Sequence, residues 1–301
     1  MPPKLKTYFF ATRPHFFPAI ILPLCLGTAV AWHYNHAFYP GYFALALLAA
    51  ILYHGGINVL NDYFDYLNGT DNLNRTGLPP FTGGSRMIQK GLLTPEGTYL
   101  FGLVLLLLGS IIGLYLSYER GYKLLYIGIT GLLSGYLYSA PPLFLASRGI
   151  GELLVGINFG VLTVIGSYYV QTGDITPEAV FASLPLSFLI AGLLYINEFP
   201  DYEADKAVGK NNLVVYLGKE RARWGFVILI LGAYISLLLG VILRYLPSLT
   251  LLAFVSAIFG VRAVKGLYKN FDKTSELTQS IKASILTHVL TGLILTITLI
   301  L

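Results

Sequence analysis

At 301 residues, 55% hydrophobic and only 12% charged, the chain falls far below the roughly 25% charged share of soluble domains and reads as a membrane protein. Its net charge of +5 calls for no nucleic acid as partner. The single cysteine, Cys25, excludes an internal disulfide framework and a multi-thiolate metal site, and is expected to fill space in a helix.

No short apolar region with a small-residue cleavage site precedes the first span, so the N-terminus reads as a mature cytoplasmic end. Apolar segments long enough to cross about 30 Å of hydrocarbon run over approximately 14–34, 41–61, 98–118, 122–140, 153–172, 179–199, 224–243, 245–262 and 283–301. They predict an all-α, multi-pass transmembrane bundle of nine helices in two pseudo-repeated halves, a single domain over 1–301. Pro247 disturbs the start of the eighth span. With the N-terminus cytoplasmic and the C-terminus outside, only Arg120, Lys123 and Arg244 of the 20 lysines and arginines fall outside, as the positive-inside rule asks. Small-residue pairs such as Gly102/Gly109/Gly113, Gly131/Gly135 and Gly156/Gly160 read as close helix contacts.

The second span runs into Asn58-Val-Leu-Asn-Asp-Tyr-Phe-Asp65 and on to Asp71. On a helix, Asn58, Asn61, Asp62 and Asp65 stand at i, i+3, i+4 and i+7, so amides and carboxylates share one face. A second copy closes the sixth span: Asn197-Glu-Phe-Pro-Asp201, with Asp205 one turn later. One such cluster could be a solvated helix end, but two at the same membrane face point to half-bundles meeting around one site. Carboxylates so crowded repel by about 1 kcal/mol per pair at ~4 Å in water and about 4 at a surface-like dielectric, and so they want cations. Hard oxygen ligands without His or Cys point to Mg²⁺, which is commonly shared with substrate phosphates.

Diphosphate is the ligand that suits carboxylates and cations together, since Mg²⁺ bridges the acidic oxygens to phosphate while basic side chains neutralise the rest. Arg75, Arg86, Lys90, Arg148, Lys206 and Lys210 lie on the same side, each either a ligand to diphosphate or one more positive-inside residue. A diphosphate at the membrane face leaves its organic part within the bundle, so the substrate should carry a long apolar tail. Gly83-Gly84-Ser85-Arg86 is either a weak anion-binding loop or a glycine-rich turn. The five histidines show no ligand spacing. Tyr136, Tyr138 and Ser139, ahead of Pro141-Pro142, either line a cavity with hydroxyls or belong to an interfacial aromatic belt.

These motifs resemble those of the UbiA superfamily of intramembrane prenyltransferases, in which nine-helix bundles join polyprenyl diphosphates to acceptors. Arg13-Pro14 with Leu26-Gly27-Thr28-Ala29, Asn61–Asp71, Gly83–Leu93, and Tyr138-Ser-Ala-Pro-Pro142 followed by Arg148-Gly-Ile-Gly-Glu152 are most similar to the menaquinone-type MenA branch. The resemblance implies that Asn61, Asp65, Asp201 and Asp205 hold Mg²⁺ and diphosphate, with Asp62 as a further metal ligand and Asn58, Asn197 and Ser139 supporting the substrate. Asp65 and Asp201 are the expected catalytic carboxylates, and Tyr138 is a candidate, on its own chemistry, for stabilising a carbocation or orienting the acceptor. Phe144 and Ala146 stand where relatives often have a basic residue, and Asn212 where a threonine is common. The expected activity is Mg²⁺-dependent transfer of a polyprenyl group from an allylic prenyl diphosphate to a small aromatic, dihydroxynaphthoate-like acceptor, in contact with membrane lipid. Alternatives are a glycerol phosphate acceptor, as in archaeal ether-lipid synthesis, and a secondary transporter, although transporters place such polar groups near the midplane. Sequence leaves the oligomeric state open.

Overall fold

A computed structural model of the chain describes residues 3–74 and 77–301, the side chains of residues 3, 4 and 72 aside. Among the described residues there is no strand; an isolated bridge joins Arg148 to Asn211. Helix is the solution that satisfies every backbone polar group within its own segment, as a hydrocarbon surrounding demands.

Among the described residues, eight helices are long and apolar enough to cross a membrane, and with one shorter helix the order along the chain is α1 (Pro14–Asn35), α2 (Pro40–Asn68), α3 (Pro95–Arg120), α4 (Lys123–Ser139), α5 (Gly151–Thr172), α6 (Pro177–Ala207), α7 (Lys219–Ile242), α8 (Ser248–Asn270) and α9 (Thr274–Ile300). The fourth, at 17 residues, is the shortest, and at 1.5 Å per residue it reaches about 25 Å. Prolines at the first turn open α2, α3 and α6, where the missing N–H was without a partner in any case. Thr94 caps α3 by accepting the Gly97 N–H. The left-handed Gly69 (φ 85°) ends α2.

Two boundaries differ from expectation in a way that matters. Helices α2 and α6 run past the expected span ends at 61 and 199 to Asn68 and Ala207, so both acidic motifs stand wholly on helix. The eighth span starts at Ser248, because Pro247 is extended (ψ 147°) and cannot join it, and it continues to Asn270. The ninth begins at Thr274, well before 283: its polar first turns hide a buried stripe of Leu277 and Ile281, both 0% exposed.

Helix α6 is the axis of the bundle. Its most apolar window is 72% buried, against 28% for α3, because α1, α5, α7 and α9 all pack on it. Leu186, Leu189, Tyr195, Ile196 and Phe199 supply its buried side. Helices α2 and α3 lie against each other through Gly56 and Gly102: a Cβ on Gly102 would come within 2.7 Å of Leu60. Outward, α3 and α7 present Leu107, Ile111, Leu114, Ile228, Leu231 and Ile235, an apolar belt suited to a hydrocarbon surrounding. The chain is an integral membrane protein.

Candidate active site

The last turns of α2 bring one half of the site. Asn58 donates to the Thr12 carbonyl at 3.0 Å, while Asn61 donates to Asp65 at 3.1 Å and to Ser139 at 2.9 Å. Asp62 pairs with the Arg13 guanidinium and accepts the Ser85 N–H at 3.2 Å. Asp62 and Asp65 are 3% and 9% exposed, so they are buried charges and not solvated helix ends. Buried carboxylates persist where cations or donors compensate them.

The other half comes from the end of α6. Asp201 accepts from Asn74 at 2.7 Å, and Asp205, 1% exposed, accepts from Asn212 at 2.8 Å. Asn212 also caps the short helix Leu213–Leu217 by accepting the Val215 N–H at 2.9 Å; it therefore ties the position of Asp205 to the turn that carries Lys210. The Lys210 ammonium stands 3.6 Å from Asp205 and 3.9 Å from Asp65, linking the two motifs. Burial pulls the Lys210 pKa down, but Asp205 and Asp65 outweigh it and hold the lysine well above its ordinary value.

The segment between α2 and α3 folds over both halves. Gly83 and Gly84 take positive φ (83° and 71°), and a Cβ on Gly84 would meet the Asp71 carboxylate at 2.8 Å and Asp62 at 3.2 Å. Only glycine allows this backbone to lie on two carboxylates. The N–H of Ser85 thus serves the protein's own Asp62. Asp71 accepts from Gln89 at 3.1 Å; burial first, then the charge of Asp65, pushes its pKa up to about 6 against the pull of Arg13 and Lys210.

Most of these groups, though not Asp62, Ser139, Gln89 or Asn212, line a cavity of about 560 Å³. Asn58, Asn61, Asp65, Asp71, Tyr138, Asn197, Asp201, Asp205 and Lys210 are on its wall, and Arg13 stands at it with them. Ile57, Phe159, Ile190 and Leu193 continue the wall into the bundle. One end is therefore charged and the other apolar.

Most of the expected basic ligands are elsewhere. Arg86 spends its guanidinium on the carbonyls of Gly83 and Asn74, closing the loop. Lys90 is exposed. Arg148, also exposed, donates to the Leu143 carbonyl. Lys206 follows the inward Asp205 by about 100° of helix and so points out, over the ring of Tyr202 at 5.6 Å. Arg75 lies outside the described residues. Arg13 takes their place, and sequence reading passed it over as one more positive-inside residue; its φ of 54°, at a break just before α1, turns it back toward Asp62. Asn74 and Glu198 were missed too, since neither spacing nor charge marks an asparagine in a loop or a glutamate within an acidic motif.

Among the described residues, no three His, Cys, Asp or Glu side chains are gathered closely enough to enclose a metal ion by themselves. Buried oxygens without a hydrogen-bond donor remain nonetheless: Asp62 Oδ2, Asn197 Oδ1 and Glu198 Oε2, while Asp205 Oδ1 has the Lys210 ammonium at 3.6 Å. Unpaired buried acceptors are costly, and they fit a cation brought in with its own further ligands.

A bundle of membrane helices whose carboxylates and cations converge on a half-charged, half-apolar cavity defines an intramembrane enzyme. The chain belongs to the UbiA prenyltransferase family, which matches residues 20–286. It is 27% identical over 286 residues to the 1,4-dihydroxy-2-naphthoate octaprenyltransferase of Bacillus subtilis, covering 95% of this chain and 89% of that one. It is 29% identical over 242 residues to the Escherichia coli protein of the same name, covering 78% and 76%. These relatives agree with the menaquinone-type resemblance. Among solved structures, a UbiA homologue from Archaeoglobus fulgidus bound to DMAPP and Mg²⁺ superposes with a TM-score of 0.69 at 17% identity, covering 97% and 99% of the two chains. A digeranylgeranylglyceryl phosphate synthase gives 0.69 at 22% identity, covering 99% of both. At such identities the likeness is one of fold.

Proposed function

We propose that this prenyltransferase moves a polyprenyl group from an allylic prenyl diphosphate to an aromatic, dihydroxynaphthoate-like acceptor, with Mg²⁺ holding the diphosphate. The observation that carries this reading is the meeting of Asp65 from α2 with Asp201 and Asp205 from α6 around one cavity, with Lys210 between two of them. Asn61, Asp62, Asp65, Asp201 and Asp205 would hold the metal, Asp62 through the oxygen that Arg13 leaves over. Bound Mg²⁺ supplies charge neutralisation for the departing diphosphate.

The chain's own residues do the rest. Lys210 and Arg13 are cations at the charged end, where negative charge grows as the allylic carbon–oxygen bond breaks. Asn58, Asn61, Asn197 and Ser139 orient what binds beside them. Tyr138 presents its ring where the allylic carbon turns positive, and the apolar wall of Ile57, Phe159 and Leu193 keeps water from that carbon. An electron-rich ring carbon of the acceptor then forms the new bond and the ring loses a proton.

The naphthoate names of relatives that match most of the chain favour this acceptor. The likeness to the glyceryl phosphate synthase is of fold only and favours neither. Both acidic motifs face the cytoplasm in this reading, on the distribution of lysine and arginine. The test is purified protein in detergent with octaprenyl diphosphate and, separately, 1,4-dihydroxy-2-naphthoate or a geranylgeranylglyceryl phosphate acceptor. Prenylated naphthoate that disappears with EDTA is expected. Product from the glyceryl acceptor alone, or from neither, would contradict the proposal.

A further inference from the structure

Two buried acids have no part in holding metal or diphosphate. Glu152 stands in the first turn of α5, at the end of the Arg148-Gly-Ile-Gly-Glu152 stretch, and Glu198 lies within the second acidic motif on α6. They are 2% and 7% exposed. Glu152 Oε1 accepts the Leu213 N–H at 2.9 Å, which ties α5 to the start of the short helix Leu213–Leu217. Oε2 of each glutamate finds no N–H or O–H donor among the described residues, and the two carboxyl groups are within hydrogen-bonding reach of each other. Neither makes an ion pair among the described residues, since Lys210 is taken by Asp65 and Asp205. Two carboxyl groups can bond to each other only through a proton, and one proton between them serves both of these oxygens.

Of the two, Glu198 lines the cavity and Glu152 does not. On α6, Glu198 follows Leu194 by about one turn and precedes Asp201 by about one turn, and all three are on the cavity wall. It therefore stands where the apolar wall meets the charged end. Tyr138 is its neighbour across the cavity wall. The Tyr138 ring rests on Gly151, where an added Cβ would come within 3.3 Å of it, and so lies beside the residue that precedes Glu152.

Building on the aromatic-acceptor reading of this cavity, we propose that Glu198 accepts a hydrogen bond from a ring hydroxyl of the acceptor, and that Glu152 is the positioning residue that holds Glu198 for it. The 1-hydroxyl of a dihydroxynaphthoate lies beside the ring's own carboxylate and bonds to it, which leaves the 4-hydroxyl as the free donor. Held at Glu198 beside Tyr138, the ring turns an electron-rich carbon toward the allylic carbon that loses diphosphate. A hydroxyl that donates to a carboxyl oxygen also gives more electron density to its ring.

Calorimetric binding of 4-hydroxy-2-naphthoate and of 2-naphthoate to the detergent-solubilised protein tests this without turnover. The unsubstituted protein should bind the hydroxylated ring about tenfold more tightly or better, because the ring without a hydroxyl leaves a buried acceptor unpaired. Glu198→Leu should abolish the preference. Glu198→Gln should restore part of it, since the amide oxygen accepts while the amide nitrogen donates to Glu152. Glu152→Leu should weaken the preference and Glu152→Gln should recover it, a rescue that a mere packing role does not predict.

Equal affinities for the two rings in the unsubstituted protein, or a preference that persists in Glu198→Leu, would overturn the inference. The first comparison needs no variant and stands even if Glu198→Leu does not fold. Prenyl transfer to 1,4-dihydroxy-2-naphthoate is measured on the same preparation. Transfer together with equal affinities would overturn this inference alone, whereas absence of transfer would overturn the acceptor reading and this inference with it.

Discussion

Arg13 and Lys210 have the same formal charge and different work. Lys210 sits between Asp65 and Asp205 as a point charge, while Arg13, from its position just before α1, gives one terminal guanidinium nitrogen to Asp62, the same nitrogen standing 3.5 Å from the Asn61 side-chain oxygen. Replacing Arg13 by lysine should therefore cost activity even though charge is conserved, by about tenfold, the scale of one lost charge-assisted hydrogen bond. Steady-state kinetics with naphthoate and octaprenyl diphosphate check this, and full activity in Arg13→Lys would show that a point charge serves as well as the guanidinium. Asp65→Asn and Asp201→Asn should each lower kcat by about 100-fold or more, the loss typical of one preorganised electrostatic partner. The fold should survive, because asparagine keeps the hydrogen bonds with Asn61 and Asn74 within reach; circular dichroism and melting in detergent measure that part. At this scale the acidic residues were legible from sequence, since duplicated carboxylates near span ends have few structural uses. Of the basic partners, Lys210 was named from sequence and Arg13 was not, because every lysine and arginine in these loops also satisfies the positive-inside rule and only packing tells which turn inward.

At the scale of elements, the sequence placed nine helices because long apolar runs bounded by proline and glycine leave little choice in lipid. Its errors fell where hydropathy stops being informative. The extensions of α2 to Asn68 and of α6 to Ala207 are polar at their ends and read as loop, although the i, i+3, i+4, i+7 spacing of Asn58, Asn61, Asp62 and Asp65 already matched a helical face. The start of α9 was lost for the same reason. The segment that covers the site depends on Gly84, whose backbone lies against Asp71 and Asp62 at positive φ. Gly84→Val should misplace the cover, at a local cost of about 1–3 kcal/mol. Proteolysis of the 69–94 segment should then quicken while the melting of the whole bundle shifts little. Unchanged proteolysis and unchanged activity in Gly84→Val would mean that the loop is not held by this contact.

On the scale of the molecule, orientation and coupling are the two properties that no residue carries alone. Cysteine introduced at Lys206 should react with an impermeant thiol reagent from the cytoplasmic side of sealed vesicles, and cysteine at Lys123 from the other; the reverse pattern would invert the topology. Coupling follows from the assembly of the site by two helices that each bring carboxylates. Without a cation, Asp65, Asp201 and Asp205 repel one another and an incoming diphosphate; with one, the same oxygens attract it, so metal and diphosphate must strengthen each other's binding by the same factor. Calorimetric titration of octaprenyl diphosphate into the detergent-solubilised protein, at rising Mg²⁺, tests this most directly. Affinity should climb steeply with Mg²⁺, and in Asp205→Ala the dependence on Mg²⁺ should flatten while the metal-independent binding of the apolar tail remains. An affinity indifferent to Mg²⁺ in the unsubstituted protein would contradict the account, however tightly the prenyl chain bound.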